Sequence, residues 1–314
     1  MMRALAAALA LFAASALAAW PERPIKLYIG YAAGGSTDVV ARIISGKLGD
    51  ALGQPIVIEN KPGSAGDLAA ELMLQAPADG YTLMMSTVAL HAINPGLYQQ
   101  KFDAVNDFAP IAIVCSYPMI MIASPATSFH TLAELKAASD NAPMFYSSSG
   151  VGSPGHLAGE LLVKATGDKL THVPYKGGSP SVLAIVTGDA QVNFATLPAV
   201  VPQIRAGKVR AVGLASKRRN PAVPDVPTME ELGLTDFEVG TWSAIIAPKG
   251  VPPEVVQKVN AAVNAVLNDP EVRKRLVAEG SEIDLMTPAE TAAFVRSENA
   301  RWMKVVKDAG IRPQ

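Results

Sequence analysis

Two stretches of small polar residues carry the residue types best suited to binding an anion. The first is YAAGGSTDVVAR, from Tyr31 to Arg42, and the second is YSSSGVGSPGHLAGELL, from Tyr146 to Leu162. Each follows a strand-like run and precedes a helix-like run, so each would place hydroxyls and free backbone N–H groups at a helix N-terminus. Neither stretch has a Lys or Arg before its helix. We therefore predict that neutral donors from both stretches bind a carboxylate.

Three further polar side chains near these stretches have two interpretations each. Asp38 either caps its helix or accepts a hydrogen bond from a bound water, a ligand hydroxyl or a ligand amine. The strand-like run Thr82–Thr87 ends with Ser86 and Thr87. The hydroxyls of these two residues either line the same site or make ordinary turn bonds.

The second stretch also raises the question of nucleophilic catalysis. Several serines of the segment Ser147–Ser153 lie close in sequence to His156. A serine nucleophile needs a base that a third group orients, and no acidic partner can be assigned to His156 from the sequence. Ser153 directly precedes Pro154, which is the usual arrangement of a helix cap and a first helical residue. We interpret these serines as cap and ligand contacts, and keep a secreted serine hydrolase using this loop as the alternative.

Signatures of metal, cofactor and enzyme chemistry are missing. The chain has no H-E-x-x-H, no phosphate-binding P-loop and no G-x-S-x-G sequence. Its four histidines have no metal-ligand spacing, and the Gly34-Gly35 pair lacks the glycine spacing of a dinucleotide site. We predict no metal, no cofactor and no enzymatic activity.

The N-terminal residues have the pattern of an export signal. Arg3 supplies a positive charge, residues 4–14 form a short apolar core, and Ala16-Leu17-Ala18 fits the small-x-small sequence cleaved by signal peptidase. We predict that residues 1–18 are a signal peptide and that the mature protein is soluble and located in the periplasm. An N-terminal membrane anchor is the alternative.

Composition narrows the possible partners. The 314 residues are enough for two domains of ordinary size. A formal net charge of −1 excludes a broad electrostatic contact with nucleic acid. The lone Cys115 cannot form an internal disulfide, and its apolar surroundings in sequence predict a buried small side chain.

Strand-like and helix-like runs alternate along most of the chain, which is typical of an α/β protein with mostly parallel sheets. The predicted strands are Ile25–Ile29, Pro55–Glu59, Thr82–Ser86, Phe108–Val114, Met119–Ala123, Met144–Ser147, Leu170–Val173, Gln191–Ala195, Val209–Ala215 and Phe237–Ala247.

Two segments predict crossings between domains. They are Cys115–Ser124, a strand-like run that contains Tyr117-Pro118, and Glu238–Lys249, a strand-like run that follows a loop with Pro221, Pro224 and Pro227. Two crossings imply two lobes, the first formed by residues 19–118 with about 245–314 and the second by residues 119–244. Each lobe is then a mostly parallel sheet flanked by helices, joined to the other by two crossing strands. The two polar stretches would face each other across the cleft.

Six motifs together resemble the Bug family of extracytoplasmic solute receptors, the binding proteins of tripartite tricarboxylate-type transporters. They are YAAGGSTDVVAR, VIENKPGSAGDLAAE, PADGYTLMMST, HVPYKGGSPSVLAIVTGDAQVNF, RAGKVRAVGLASKRRNPAVPDVPTMEELG and WSAIIAPKGVPPEVV. They occur in the family's order and cover nearly all of the chain after residue 18. Each motif is weakly specific, but their joint occurrence is highly specific.

The resemblance implies a Venus flytrap fold that closes on a small carboxylate ligand and delivers it to the permease subunits of the transporter. It also implies a monomer. The ligand contacts it implies are Ala33, Gly34, Gly35, Ser36, Thr37, Asp38, Ser86 and Thr87 in the first lobe, and Ser147, Ser148, Ser149, Gly152, Ser153, His156, Tyr175, Ala195 and Thr196 in the second.

The chain departs from the family pattern at two places. Ala195 stands where the family often has an acidic or amide residue, and Leu183-Ala184-Ile185 lacks an acidic residue often found there. These changes disfavour an acidic amino acid as the ligand.

A third hypothesis is that the chain is the effector domain of a transcription regulator. The predicted signal peptide and the missing helix-turn-helix region argue against it.

Overall fold

The computed structural model describes residues 20–309. The predicted signal peptide, residues 1–18, lies outside them. The strands are β1 (Ile25–Ile29), β2 (Ile56–Asn60), β3 (Thr82–Thr87), β4 (Phe108–Ala123), β5 (Met144–Ser148), β6 (Leu170–Pro174), β7 (Val192–Thr196), β8 (Arg210–Leu214) and β9 (Gly240–Pro248).

The helices lie between and after these strands. They are α1 (Ser36–Leu52), α2 (Asp67–Leu74), α3 (Asn94–Leu97), α4 (Leu132–Asn141), α5 (Pro154–Thr166), α6 (Gly178–Thr187), α7 (Leu197–Arg205), α8 (Pro253–Asn268), α9 (Pro270–Ala278) and α10 (Pro288–Ala309), with a 3-10 turn at Ser64–Gly66 and a π-helical turn at Ala89–Ile93. Among the described residues, no helix is both long and apolar enough to cross a membrane.

The strands form two sheets, which define the two lobes. Lobe 1 has the order β2-β1-β3-β9-β4, and lobe 2 has the order β6-β5-β7-β4 with β8 on the far side of β4. Strands that are followed by helices pair in parallel, β1 with β2 and β3, and β5 with β6 and β7. The crossing strands pair antiparallel to their neighbours. The predicted two-lobed α/β fold is confirmed, and its sheets are mixed because the crossing strands return in the opposite direction.

The lobes are joined by β4 and β9, which pair with each other at the crossing. Residues 108–118 of β4 pair with β9, and residues 119–123 pair with β7. The runs predicted as two strands, before and after Tyr117-Pro118, therefore form one strand of 16 residues. Pro118 lies opposite Gly240, at the point where β4 passes from one sheet to the other. The lobes are thus connected by a two-stranded hinge.

Local sequence signals explain where several helices begin and end. Thr131 and Glu134 form a complete capping box at the start of α4. Ser153 caps α5 by accepting a hydrogen bond from the N–H of His156, and Pro154 is the first helical residue. Gly53 ends α1 with a φ of 78°, a conformation that strongly favours glycine.

The C-terminal helix α10 packs against lobe 1 and the hinge. Its Glu298 accepts hydrogen bonds at one carboxylate oxygen from the indole N–H groups of Trp242, at 3.1 Å, and Trp302, at 3.0 Å. Trp242 belongs to β9, so this contact ties α10 to a hinge strand. Cys115 lies fully buried in β4, and burial raises the pKa of its thiol to about 12. The predicted buried role of Cys115 is confirmed.

Candidate functional site

A narrow cavity of about 30 Å3, here called the slot, lies between the two lobes beside the hinge. Uncharged side chains and backbone from both lobes line it. They are Tyr31, Gly35, Ser36, Thr37, Thr87, Tyr117, Met119, Ser149, Pro154, Gly178, Ser181, Phe194, Ala195, Thr196 and Thr241.

Four helix N-termini converge on the slot. Gly35 is the N-cap of α1, Pro154 the first residue of α5, Gly178 the first residue of α6, and Thr196 the N-cap of α7. Backbone N–H groups at a helix start have no partner within the helix, and the helix dipole adds partial positive charge there. The arrangement therefore favours an anion without using any cationic side chain.

Asp38 fastens the first polar stretch to lobe 1. Its carboxylate accepts hydrogen bonds from the Gly34 N–H at 2.9 Å, from Arg42 at 2.8 and 3.0 Å, and from Asn60 at 3.0 Å. Burial raises the pKa of Asp38, but the bonds from Arg42, Gly34 and Asn60 outweigh it and hold the pKa below its usual value. The side chain is 2% exposed and does not line the slot. Asp38 thus binds the turn before α1 to lobe 1, whereas the N-cap residue of α1, Gly35, receives no side-chain cap hydrogen bond.

Two tyrosines that sequence reasoning missed organise the lobe 1 side of the slot. The Tyr117 hydroxyl donates to Ser36 Oγ at 3.3 Å and lies 2.9 Å from Ser243 Oγ. The Tyr31 hydroxyl donates to the Ala65 carbonyl at 2.9 Å and lies 3.1 Å from Thr87 Oγ1. Burial raises the pKa of Tyr117 to about 12, so it is a neutral donor. Tyr31 is the first residue of the first polar stretch, so its position in sequence points to the site. No local sequence pattern indicates that Tyr117 belongs to the site.

The serines of the second polar stretch are mostly used inside lobe 2. Ser147 Oγ donates to the Ser181 carbonyl and accepts from Asn193, and Ser148 Oγ lies 2.7 Å from His172 Nε2. Ser153 Oγ accepts the backbone N–H of His156 at 3.2 Å. All three serines are fully buried, and Ser149 alone among the serines of this stretch lines the slot.

His156 lies behind the second polar stretch. It is 1% exposed, its Nδ1 accepts the Gly152 N–H at 3.3 Å, and its ring stacks on His172 with 4.2 Å between centroids. Burial and the neighbouring His172 lower the pKa of His156 to about 3, so the ring is neutral. His156 therefore supports the backbone of the stretch and does not line the slot.

A second cavity of about 470 Å3, here called the chamber, adjoins the slot between the lobes. Tyr31 and Ser149 line both cavities. The other residues lining the chamber are Gly30, Gly63, Ser64, Ala65, Tyr98, Gly150, Val151, Tyr175 and Lys176.

The predicted site residues fall into three groups: those that line the slot, those that line the chamber and those that line neither cavity. Gly35, Ser36, Thr37, Thr87, Ser149, Ala195 and Thr196 line the slot, and Ser149 and Tyr175 line the chamber. The lining of neither cavity includes Ala33, Gly34, Asp38, Ser86, Ser147, Ser148, Gly152, Ser153 or His156.

The lobes touch each other beside these cavities. The Ala32 N–H of lobe 1 donates to the Lys176 carbonyl of lobe 2 at 3.2 Å. Gly177 has a φ of 138°, and a Cβ at this position would lie 2.8 Å from the Ala32 nitrogen. The contact therefore depends on glycine at position 177, and the two lobes are in direct contact here.

Comparisons with known proteins identify the family. Residues 40–311 match the model of the tripartite tricarboxylate transporter family receptor. The protein BugT of Bordetella pertussis (strain Tohama I) is 33% identical over 297 residues, covering 93% of this chain and 91% of BugT.

Solved structures agree with that match. A protein of R. palustris solved with adipate has a TM-score of 0.90 and 34% identity, covering 94% of this chain and 100% of that one. MatC from Rhodopseudomonas palustris, solved with bound malate, has a TM-score of 0.86 and 34% identity, covering 91% and 100%. The periplasmic binding protein BugD has a TM-score of 0.89 and 33% identity, covering 94% and 100%. This chain belongs to the tripartite tricarboxylate transporter receptor family, the Bug family of periplasmic solute-binding receptors.

Proposed function

We propose that this receptor captures a small organic acid between its lobes, holds a carboxylate of that acid in the slot, and delivers it to the permease subunits of a tripartite transporter. The observation that carries the proposal is the convergence of four helix N-termini on a slot lined by uncharged residues. Such a site binds an anion through oriented backbone dipoles. Two similar receptors solved with adipate and with malate support a carboxylate as the ligand class.

The contacts we propose come from both lobes. Ser36, Thr37 and Thr87 supply hydroxyls from lobe 1, and Ser149 and Thr196 supply them from lobe 2. Ala195 also lines the slot and offers only a methyl group to a ligand. The slot therefore provides donors for a carboxylate and no acidic partner for a ligand amine, which agrees with a simple organic acid.

The alternative of a secreted serine hydrolase is wrong, because this family consists of solute-binding receptors. The contacts of Ser153 and His156 also argue against a hydrolase. Ser153 accepts the backbone N–H of His156, while the His156 ring accepts the Gly152 N–H. The two side chains therefore do not form a nucleophile–base pair. Ser148 does contact His172, but it is fully buried.

A thermal-shift screen against organic acids tests the proposed function. A ligand that binds only the folded state at one hundred times its dissociation constant stabilises that state by about 2.7 kcal/mol, which raises the melting temperature. Calorimetric titration of each positive acid then gives the stoichiometry. We expect one site per chain for at least one carboxylate and no response to the corresponding amides. A response to amines or sugars, with none to carboxylates, would contradict the proposal.

We propose that lobe 1 comprises residues 19–118 with about 245–314 and that lobe 2 comprises residues 119–244.

We also propose that the mature protein is a monomer and that residues 1–18 are removed on export. Trp20 supports a start near Ala19, because its carbonyl accepts a hydrogen bond from Lys258 at 2.7 Å and its ring contacts Tyr81. Mass spectrometry of periplasmic protein should give Ala19 as the first residue. Light scattering should give the mass of one chain, and a dimer mass would contradict that part.

A further inference from the structure

The slot is too small to hold a whole organic acid. Its volume is about 30 Å3, and by the same measure a cavity needs about 10–15 Å3 to hold one water molecule. This is room for a carboxylate group or for the waters that bridge it, and the remainder of the ligand must lie elsewhere. The direction in which it extends is set by the cavity that the slot joins.

The chamber is the space that adjoins the slot. The two cavities share Tyr31 and Ser149, one from each lobe. The chamber has a volume of about 470 Å3, which lies within the usual range for small-molecule sites of about 300–1,000 Å3. A ligand whose carboxylate occupies the slot can therefore place its body in the chamber.

Three tyrosines are among the residues that line the chamber. Tyr31 and Tyr98 belong to lobe 1, and Tyr175 belongs to lobe 2. The Tyr31 hydroxyl donates to the Ala65 carbonyl at 2.9 Å, and the Tyr98 hydroxyl donates to the Ser64 carbonyl at 3.3 Å. These two hydroxyls are already used by the 3-10 turn Ser64–Gly66, so the rings mainly offer carbon surface to a ligand. Val151 adds apolar surface from lobe 2.

Charge is scarce in the chamber. Lys176 is the one residue of its lining with an ionic side chain, and it is exposed. Burial, with the nearby Asp67 carboxyl, raises the pKa of Tyr98, so this tyrosine stays neutral. A second carboxylate in the chamber would have a single cation to pair with, at an exposed position, whereas an aromatic ring would meet three others. Aromatic rings attract each other in offset and edge-to-face arrangements beyond the effect of area alone.

We infer that the ligand of this receptor is an aromatic carboxylic acid, with its carboxylate in the slot and its ring in the chamber between Tyr98 of lobe 1 and Tyr175 of lobe 2. The inference rests on the function proposed above and adds the class of acid. Because the two tyrosines come from different lobes, an aromatic ring between them also stabilises the closed state.

Calorimetric titration with five acids tests this inference. Benzoate, phenylacetate and 3-phenylpropionate vary the distance between carboxylate and ring, cyclohexanecarboxylate is the saturated counterpart of benzoate, and adipate is a flexible dicarboxylate. We expect at least one aromatic acid to bind about tenfold or more tighter than both cyclohexanecarboxylate and adipate.

Variants of the chamber separate the contribution of the ring from that of the hydroxyl. Tyr175→Ala should weaken binding of the best aromatic acid by about tenfold, and Tyr175→Phe should keep the wild-type affinity within about twofold. The control is Tyr28→Ala, which removes a half-buried tyrosine of β1 that is outside both cavity linings. This control should bind as the wild type does.

Two results would overturn the inference in distinguishable ways. If adipate binds tightest and Lys176→Met weakens the binding of adipate, the ligand is a dicarboxylate. The proposed function as a carboxylate receptor is then supported, and the preference for aromatic acids is wrong. If none of the five acids binds and the wider organic-acid screen is also negative, the proposed function fails together with the inference.

Discussion

The two polar stretches share one pattern of sequence and differ in how their side chains are used. In the lobe 1 stretch, Ser36 and Thr37 line the slot, and the charged Asp38 is bonded to Gly34 and Arg42. In the lobe 2 stretch, Ser147 and Ser148 are buried and bonded within lobe 2. The same arrangement of strand, polar turn and helix start therefore places side-chain hydroxyls against the slot in lobe 1. In lobe 2 it places mainly backbone groups there.

The two stretches are also held in place by different side chains, one charged and the other neutral. An ionised carboxylate, Asp38, anchors the first, and a neutral imidazole, His156, anchors the second. Similar turn sequences can therefore be stabilised by groups that respond to different pH ranges.

The largest effect is expected where the two lobes touch. Gly177→Ala should weaken ligand binding by about a hundredfold, because a Cβ 2.8 Å from the Ala32 nitrogen opposes the closed state. Gly207→Ala is the control for adding a methyl group at a positive-φ glycine away from the cleft, since Gly207 has a φ of 66° and nothing within 4 Å of a Cβ. Calorimetric titration of both variants checks the prediction. Equal losses of affinity in the two variants would mean that the loss is not specific to the contact between the lobes.

The second prediction concerns pH. The pKa of His156 is lowered to about 3 from its usual 6.5, so the unfolded chain binds more protons between these values and stability falls as the pH drops through that window. Between pH 7 and pH 4.5 the loss of unfolding free energy from His156 alone is about 2.5 kcal/mol. Asp38 contributes nothing in this interval, because its pKa lies below its usual 3.8.

Urea denaturation at pH 7 and pH 4.5 measures that loss. His156→Asn removes the titrating group and keeps an acceptor for the Gly152 N–H, so the difference in unfolding free energy between the two pH values should shrink by about 2.5 kcal/mol. The same measurement on His130→Asn, at an exposed histidine, shows whether the change is specific to position 156. An unchanged difference in His156→Asn would show that the imidazole does not titrate in this way.

The third prediction isolates a hydroxyl of lobe 1. Ser36→Ala should weaken carboxylate binding by about ten- to a hundredfold, the value of about 1.5–3 kcal/mol for a hydrogen bond to a charged group. Ser45→Ala, on the same helix and outside the slot lining, should bind normally. Titration of the acid selected by the screen provides the measurement. Wild-type affinity in Ser36→Ala would mean that the Ser36 hydroxyl does not contact the ligand.

The smallest effect is expected from the cap of lobe 2. Ser153→Ala should cost about 1 kcal/mol of unfolding free energy, as loss of a helix N-cap usually does, with little change in ligand affinity. Thr131→Ala removes the cap of α4, a helix outside both cavity linings, and should cost a similar amount. Urea denaturation and titration together check this. A tenfold weaker affinity in Ser153→Ala would make this hydroxyl a ligand contact and remove the contrast between the stretches.

Much of the fold could be predicted from the sequence because its signals are local. The strand Ile25–Ile29 was predicted with the bounds it has, and the caps at Thr131 and Ser153 follow from residues within three positions. The two crossings follow from strand-like runs beside prolines. The joining of Phe108–Ala123 into one strand was missed, since its pairing partner β9 lies more than 100 residues away in the chain. The antiparallel pairing of the crossing strands, which makes the sheets mixed, was missed for the same reason.

The amino-acid sequence by itself determined the order of strands and helices, the absence of cationic side chains before the two helices, and the motifs of the family. The tertiary structure alone decided which hydroxyls face the slot. Tyr117 meets Ser36 across 81 positions, and Asn193 meets Ser147 across 46. A short polar side chain turns toward whichever partner the fold brings near it, because a buried hydroxyl must be hydrogen-bonded. That choice depends on distant residues, so no local pattern records it.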